Sequence, residues 1–333
     1  IADFNNQYGT ITGTLAGAGV IDFTTGTSTM TGEAVTLTIS GSGARTIDAI
    51  DPSGNVSITS TNSGAVTITD IDGGNLGNTK TVTVDASSAT GVHTITSDHA
   101  GTSVITGGSG ADTISETGAT ATGYTHTLTG NAGADNITGG TGADTITGGA
   151  GADTIDSSSG ADSIDGGAGN DTLTFDTAGD LASTDTVDGG DGTDSMTLTI
   201  SSSLTPTLTS VENIDLTASA AATLTMTSST DTTRVDIESG TAGAAVTISN
   251  LVSGGTVRIF DADATVTGDT TAGGSITIDS HIDTTSGGVT VTDAASVTVT
   301  SSHAAAINSG DIVALTLDNT DTTSLTVTGA SDT

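Results

Sequence analysis

Apolar and polar residues alternate in short runs along most of the chain. The runs AVTLTIS (34–40), NVSITST (55–61) and AVTISN (245–250) carry Val, Ile or Leu at every second position, with Thr or Ser between them. Gly, Ser, Asn or Asp bound each run, and the centres of successive runs lie about ten residues apart. A period of two is typical of a half-buried strand, and no segment has the 3.6-residue apolar period of a helix. The pattern therefore predicts an all-β chain that is nearly free of helix.

A nine-residue phrase repeats in the middle of the chain and reads G-G-x-G-x-D-x-U-x, where U is apolar. The five copies from Gly130 to Thr174 are continuous, and 14 further residues separate each outer copy from this run. A strict short period favours a solenoid over a sandwich, because each turn of a solenoid stacks on the previous one. We therefore predict a right-handed parallel β-solenoid. Full or near matches begin at Gly107, Gly130, Gly139, Gly148, Ser157, Gly166 and Gly189.

One copy, Gly139–Thr147, indicates how the phrase folds. Its glycines permit a tight turn with inward carbonyls, Asp144 ends the turn, and Ile146 points into the stack from a three-residue strand. Two copies make one full turn of the solenoid, so residues 18 apart lie above one another. This spacing predicts a carboxylate column of Asp135, Asp153 and Asp171 and a second column of Asp144 and Asp162. It also predicts an internal ladder of Ile114, Ile137, Ile146, Ile155, Ile164 and Leu173.

The charge of the chain makes these columns costly without a counter-ion. The chain has 39 Asp and Glu residues against 4 Lys and Arg, a formal net charge of −35. Two carboxylates on adjacent rungs, about 4.8 Å apart, repel by roughly 3–4 kcal/mol at an effective dielectric constant near 20. Only oxygens are available as ligands, which suits Ca²⁺ better than Mg²⁺ or Zn²⁺. The same charge argues against nucleic-acid binding and against an anionic membrane surface.

The phrase resembles the RTX family of glycine-rich nonapeptide repeats, whose members form a parallel β-roll with Ca²⁺ in the turns. The resemblance covers residues 107–197 and implies a calcium-binding β-roll there. The strand pattern on either side predicts an N-terminal β-solenoid (1–106) and a C-terminal β-solenoid (198–333) as Thr-rich β-helical flanks. The copy Ser157–Asp165 has SSSG in place of GGxG, which predicts a distorted turn. The implied metal ligands, for several Ca²⁺ ions, are Asp112, Asp135, Asp144, Asp153, Asp162, Asp171 and Asp194.

A further stretch, Gly189–Thr217, joins one copy to a strand, a loop and a second strand that begins VEN. This arrangement resembles bacterial surface-layer (S-layer) proteins secreted by the type I route, and it also recurs in large RTX adhesins. The resemblance implies a secreted structural protein at the bacterial cell surface. Such a protein would assemble with itself through Ca²⁺ into a layer or filament, with cell-surface polysaccharide as a further partner. The alternative is a spacer or adhesin segment that binds a host surface or ice.

Catalysis and membrane insertion find little support in the sequence. The five histidines, including His93, His99 and His126, are scattered without an H-E-x-x-H motif, and we predict that they lie on surface strands or turns. Turn aspartates could form the carboxylate pair of a polysaccharide-cleaving β-helix, but a sugar groove is usually lined by aromatic residues, and these are 2% of the chain. The intervals between Thr-x-Thr motifs drift, which argues against the regular grid that ice binding needs. We therefore predict a non-enzymatic protein without a membrane-spanning segment.

The first residues, IADFNNQYGT, lack a starting Met and the features of a signal peptide. They indicate a processed chain or a piece of a longer protein.

Overall fold

A computed structural model describes most of the central part of the chain and the strands of both ends. The residues it describes are 11–16, 19–21, 34–47, 50, 54–71, 79–117, 124–226, 229, 231–239, 245–252, 254–260, 263–268, 275–280, 288–292, 294, 296–300, 314–318 and 324–328. Within these residues all regular structure is β-strand, as predicted, and no helix has the length and apolarity to cross a bilayer.

The described strands are short, and most have three to six residues. In chain order they are β1 (Ile11–Ala16), β2 (Gly19–Ile21), β3 (Val35–Ser40), β4 (Arg45–Ile47), β5 (Val56–Ser60), β6 (Val66–Ile68), β7 (Thr81–Asp85), β8 (His93–Ser97), β9 (Thr102–Thr106), β10 (Thr113–Glu116), β11 (His126–Ala132), β12 (Asn136–Thr138), β13 (Thr145–Ala150), β14 (Thr154–Asp156), β15 (Ser163–Ala168), β16 (Thr172–Phe175), β17 (Thr186–Asp188), β18 (Ser195–Ile200), β19 (Thr207–Thr209), β20 (Asn213–Ala218), β21 (Ala222–Thr225), β22 (Arg234–Ser239), β23 (Ala245–Leu251), β24 (Thr256–Ile259), β25 (Asp263–Gly268), β26 (Ser275–Ser280), β27 (Gly288–Thr292), β28 (Ser296–Thr300), β29 (Ala314–Asp318) and β30 (Ser324–Thr328).

The chain divides into two compact units, Ile1–Thr172 and Leu173–Thr333. In the first unit, successive strands alternate between two parallel sheets, and each strand pairs with the strand two positions further along the chain. One sheet has the order β1-β3-β5-β7-β9-β11-β13-β15 and the other β2-β4-β6-β8-β10-β12-β14. This is the connectivity of a parallel β-solenoid, so the predicted fold class is confirmed. The strands that precede residue 107 lie in the same two sheets as the nine-residue repeats.

The second unit has the same kind of pairing on three parallel sheets. They have the orders β18-β20-β22-β24-β26-β28-β30, β21-β23-β25-β27-β29 and β17-β19. The three-part division of the chain at residues 107 and 197 stays a prediction.

The core is a set of stacked aliphatic side chains. In the first unit Ile114 pairs with Ile137, which pairs with Ile155, and Leu128, Ile146 and Ile164 are aligned in the opposite sheet. All six, and Leu173 in the second unit, have at most 2% of their surface exposed. Burial of one such side chain contributes about 1.5–3 kcal/mol, and this ladder takes the place of a large aromatic core.

Threonines on the outer faces align in the same register. Thr127 pairs with Thr145 and Thr129 with Thr147, although the intervals between Thr-x-Thr motifs vary along the sequence. On the next rung Ser163 and Asp165 take these positions, so the alignment of threonines is local.

Candidate metal sites in the glycine turns

All seven predicted aspartates are buried at the ends of turns, just before a strand of the solenoid. Each has at most 2% of its surface exposed, an unusual position for a carboxylate. The strand that follows each one is short and carries an inward Ile, Leu or Met two positions after the aspartate, which fixes the aspartate at the corner of the turn. The set comprises Asp112, Asp135, Asp144, Asp153, Asp162, Asp171 and Asp194.

Four of these aspartates form one hydrogen-bonded column. The main-chain N–H of Asp112 donates to Oδ1 of Asp135 at 2.6 Å, that of Asp135 to Asp153 at 2.7 Å, and that of Asp153 to Asp171 at 2.8 Å. Each carboxylate thus ties its own turn to the preceding one. The stacking predicted for residues 18 apart is present here, and Asp112 joins the column although it lies 23 residues before Asp135.

Asp144 and Asp162 form the second column on the opposite edge. The N–H of Asp144 donates to Oδ1 of Asp162 at 2.9 Å, and the N–H of His126 donates to Oδ1 of Asp144 at 2.9 Å. In the second unit the N–H of Asp194 donates at 2.7 Å to Oε2 of Glu212, so a glutamate takes the place of an aspartate there.

The second carboxylate oxygen of three column residues has no hydrogen-bond partner. Oδ2 of Asp135, Asp144 and Asp153 is buried and accepts no hydrogen bond. A Cβ on Gly148 would stand 2.5 Å from Oδ2 of Asp153 and 2.5 Å from the carbonyl oxygen of Gly166. Two acceptors therefore meet in the space that only a glycine leaves open. A buried anionic oxygen among acceptors is costly, and a bound cation is the group that would satisfy it.

The pKa values of these groups reflect the same shortage of donors. Burial, opposed by the hydrogen bond from Asp112 and helped by the charges of Asp153 and Asp112, raises the pKa of Asp135 to about 6. Burial likewise raises the pKa of Asp144 to about 7, with a further contribution from Asp162. The pKa values of Asp153 and Asp171 are also raised, mainly by burial. A cation beside these carboxylates would favour their charged form and reverse the shifts.

The donor set fits a hard cation. In the described part of the chain no three His, Asp or Glu side chains converge on one point. An ion between turns would therefore be held by a carboxylate from a turn together with main-chain carbonyls such as that of Gly166. Oxygen donors of this kind suit Ca²⁺, which accepts six to eight of them in flexible geometry. The assignment of the seven aspartates as ligands stays a prediction.

The copy with serines adopts the same turn as its neighbours at a conformational cost. Ser158 has φ of 61°, where the corresponding residues Gly149 and Gly167 have φ of 118° and 102°. Oδ1 of Asp156 accepts the N–H of Ser158 at 2.8 Å and supports this conformation. The turn is therefore retained, although its second residue is in the left-handed region that disfavours serine.

Two further carboxylates share these positions and were missing from the predicted set. Asp185 has 1% of its surface exposed, precedes Asp194 by nine residues and stands two before the buried Val187. Glu212 follows Asp194 by 18 residues and stands two before the buried Ile214. The spacing of an acid two residues before an apolar residue was a usable signal, but both lie in turns without the G-G-x-G glycines.

The prediction that the histidines lie on the surface was wrong for three of them. His93, His99 and His126 have at most 1% of their surface exposed, and His281 and His303 lie outside the described residues. Oδ1 of Asp112 accepts the N–H of His93 at 2.6 Å, so His93 and His126 each precede the first aspartate of a column. The alternation of apolar and polar residues could not reveal this, because a histidine can occupy an inward or an outward position of a strand. Here His93 pairs with the buried Val66, and His126 pairs with the buried Ser103.

These features define a class: a parallel β-solenoid whose glycine turns present columns of buried carboxylates and carbonyls to a cation. The model of the RTX calcium-binding nonapeptide repeat matches four times, at residues 99–115, 129–164, 138–173 and 148–182. This stretch of the chain is therefore an array of RTX calcium-binding repeats. No curated protein and no solved structure matches the chain. The matched repeats end before Asp185, Asp194 and Glu212.

Proposed function

We propose that the chain is a secreted structural protein that assembles in a Ca²⁺-dependent way into a cell-surface layer or an extracellular filament. The observation that carries the proposal is the presence of two columns of buried carboxylates in a strongly acidic chain. RTX repeats are typical of secreted proteins. Because the carboxylates within each column repel one another, the repeats would require Ca²⁺ to form a rigid solenoid.

The charge on the outer surface extends this requirement from folding to assembly. Asp165 and Asp191 are exposed, and the chain as a whole carries a formal charge of −35. Two copies repel one another unless cations screen or bridge their carboxylates. Ca²⁺ would therefore act twice, first between the turns of one chain and then between chains or between a chain and an anionic polysaccharide.

Electron microscopy and light scattering of the purified chain test this proposal. We expect sheets or filaments in millimolar Ca²⁺, isolated particles after addition of EGTA, and isolated particles in the same concentration of Mg²⁺. The Mg²⁺ sample is the matched control, because it provides the same ionic screening without the coordination that Ca²⁺ prefers. A folded monomer in Ca²⁺ at every protein concentration would contradict self-assembly.

The second candidate is a spacer or adhesin segment that binds an ordered surface such as ice. It is favoured by outward threonines that the parallel register aligns on adjacent strands, Thr127 with Thr145 and Thr129 with Thr147. Retention of the Ca²⁺-loaded monomer on growing ice, together with its loss when Thr129 and Thr147 are replaced by lysine, would favour this candidate. Exclusion of the unmodified chain from ice would contradict it.

A further inference from the structure

Three turns before the first repeat have the sequence of a repeat turn without its aspartate. Residues 41–45 read GSGAR and residues 108–112, in the first repeat, read GSGAD, so an arginine stands where the repeat has its carboxylate. In the sheet Arg45 pairs with Val66, and Val66 pairs with His93, which gives the corner residues of the next two turns. These three turns are termed the flank turns and comprise residues 41–45, 62–66 and 89–93.

Stacked glycines make the flank turns and the repeat turns one continuous series. A Cβ on Gly91 would stand 2.1 Å from the carbonyl oxygen of Gly64, and a Cβ on Gly110 would stand 2.7 Å from that of Gly91. The series continues into the repeats, where a Cβ on Gly133 would stand 2.3 Å from the carbonyl oxygen of Gly110. The backbone path is therefore shared, and the two parts differ in the side chains that the turns carry.

The buried amide of Asn62 joins two successive flank turns. Asn62 has 0% of its surface exposed, and its Nδ2 donates to the carbonyl oxygens of Gly43 at 2.9 Å and Gly64 at 2.8 Å. Its own carbonyl oxygen accepts the N–H groups of Thr90 and Gly91 in the third turn, both at 3.3 Å. Carbonyls of adjacent turns thus converge on one neutral donor, at the kind of position that a cation would fill between repeats.

The corner residues Arg45 and His93 also engage main-chain carbonyls. Arg45 has 3% of its surface exposed, and its Nη1 and Nη2 donate to the carbonyl oxygens of Ala44 at 3.2 Å and Ser40 at 3.3 Å. Nδ1 of the buried His93 lies 2.8 Å from the carbonyl oxygen of Gly91. Side-chain nitrogens therefore occupy two of the corners at which each repeat places an aspartate.

The flank turns also lack the repulsion that opposes folding of the repeats. In the described part of residues 34–106 no Asp or Glu side chain is buried, whereas the repeat turns bury the seven column and corner aspartates. Buried carbonyls that accept N–H groups are satisfied without a charge, and no like charges face one another across these rungs. The two features together remove the need for a cation.

We propose that the flank turns form a calcium-independent cap, in which side-chain N–H groups take the place of Ca²⁺. Strands β5 to β9 then fold without metal and leave an ordered edge on which the first repeat stacks once Ca²⁺ binds. The N–H of His93 donates to Oδ1 of Asp112 at 2.6 Å and joins the cap to the first carboxylate of the column. This boundary rests on the calcium requirement of the proposed function, because it separates turns that need the ion from turns that do not.

Hydrogen exchange of the full chain, read by mass spectrometry in EGTA and in Ca²⁺, tests the cap. We expect amides of β5, β6 and β8 to exchange slowly in both buffers, within about twofold, and amides of β12 and β14 to exchange at least roughly tenfold faster in EGTA than in Ca²⁺. Equal exchange of the two groups of strands in EGTA would overturn the proposal. If both are fast, the calcium requirement of the repeats still stands; if both are slow, that requirement fails as well.

Variants of two side chains assign the donors, while the comparison on the unmodified chain does not depend on them. Asn62→Ala removes the amide that joins two turns and should speed exchange of β6 in EGTA by about tenfold or more, because two buried carbonyls lose their donor. Asn55→Ala is the matched control, since the Asn55 amide is exposed and only its Oδ1 accepts an N–H, that of Thr81. Unchanged exchange in Asn62→Ala would overturn the role of the amide and with it the proposal.

His93→Asp extends the carboxylate column by one turn and should make the cap depend on calcium. We expect β8 of this variant to exchange fast in EGTA and slowly in Ca²⁺, because the added carboxylate faces Asp112. His93→Asn, which has the same size as the aspartate variant and no charge, should respond equally in both buffers. Slow exchange of β8 in His93→Asp in EGTA would overturn the proposal, since it would mean that corner chemistry does not decide which turns need the ion.

Discussion

Replacement of Asp135 by asparagine separates the charge of a column carboxylate from its hydrogen bond. Asparagine keeps an Oδ1 that accepts the N–H of Asp112, and it removes the charged oxygen that has no partner. The rise in the pKa of Asp135 from its ordinary value of 3.8 to about 6 corresponds to about 3 kcal/mol against the charged form. Repulsion between unit charges about 4.8 Å apart, at an effective dielectric constant near 20, has a similar size of about 3.5 kcal/mol.

The substitution should therefore have opposite effects with and without metal. At pH 8 in EGTA we expect Asp135→Asn to stabilise the folded chain by up to about 3 kcal/mol, measured as the free energy of unfolding in urea by circular dichroism. In Ca²⁺ the same variant should be destabilised and should need more Ca²⁺ to fold, because one ligand charge is lost.

Asp165→Asn is the control, since it removes an exposed carboxylate from β15 and should change little in either buffer. A loss of stability in Asp135→Asn that is equal in EGTA and in Ca²⁺ would refute the reasoning. It would mean that Asp135 acts through neutral hydrogen bonds and not as a charge that a cation completes.

Three other predictions concern pH and the turns. Because the pKa values of Asp135 and Asp144 are raised from 3.8 to about 6 and about 7, their contribution to the stability of the metal-free chain should be complete below pH 3.8 and should be lost as the pH rises from there through 6 to 7, as urea unfolding in EGTA would report; a flat profile would contradict this. Ser158→Gly should stabilise the Ca²⁺-bound chain by about 0.5–1 kcal/mol, because it relieves a positive φ, whereas the neighbouring Ser159→Gly should not; equal effects would argue against strain. Gly148→Ala should weaken Ca²⁺ binding in calorimetry more than Gly139→Ala, because a Cβ at Gly148 would stand 2.5 Å from two oxygens and one at Gly139 about 3 Å from its neighbours; the reverse order would contradict the cradle.

The strand pattern and the nine-residue period were sufficient for the architecture of the repeats. Alternation of Ile or Val with Thr predicts strands with one buried face, and an 18-residue double period places Asp135 over Asp153 and Ile137 over Ile155. Local chemistry determines these features, since the glycines set the turn and the aliphatic residues set the face. The flanks of the repeats follow the same alternation, which is why their fold could also be predicted.

The pairings and residues that the sequence did not predict depend on which turn stacks on which. Asp112 meets Asp135 across 23 residues, and Glu212 meets Asp194 outside any glycine-rich phrase. Loops of varying length lie between the strands, so equal spacing in the sequence does not identify all neighbours in the sheet. Asp185 is buried in a turn without the usual glycines, and its burial likewise depends on how the turns stack.

The sequence by itself thus determined the strands, the glycine turns and the oxygen chemistry of the repeats, because each of these follows from residues within one or two phrases. Only the tertiary structure decided that His126 follows Ser103 and precedes Asp144 in one column, with Glu116 facing its ring. These contacts join strands of successive turns, and the order in which turns stack is set by the closed path of the solenoid and not by any local pattern. Burial of polar groups is likewise a property of the stack, since it depends on the rungs above and below.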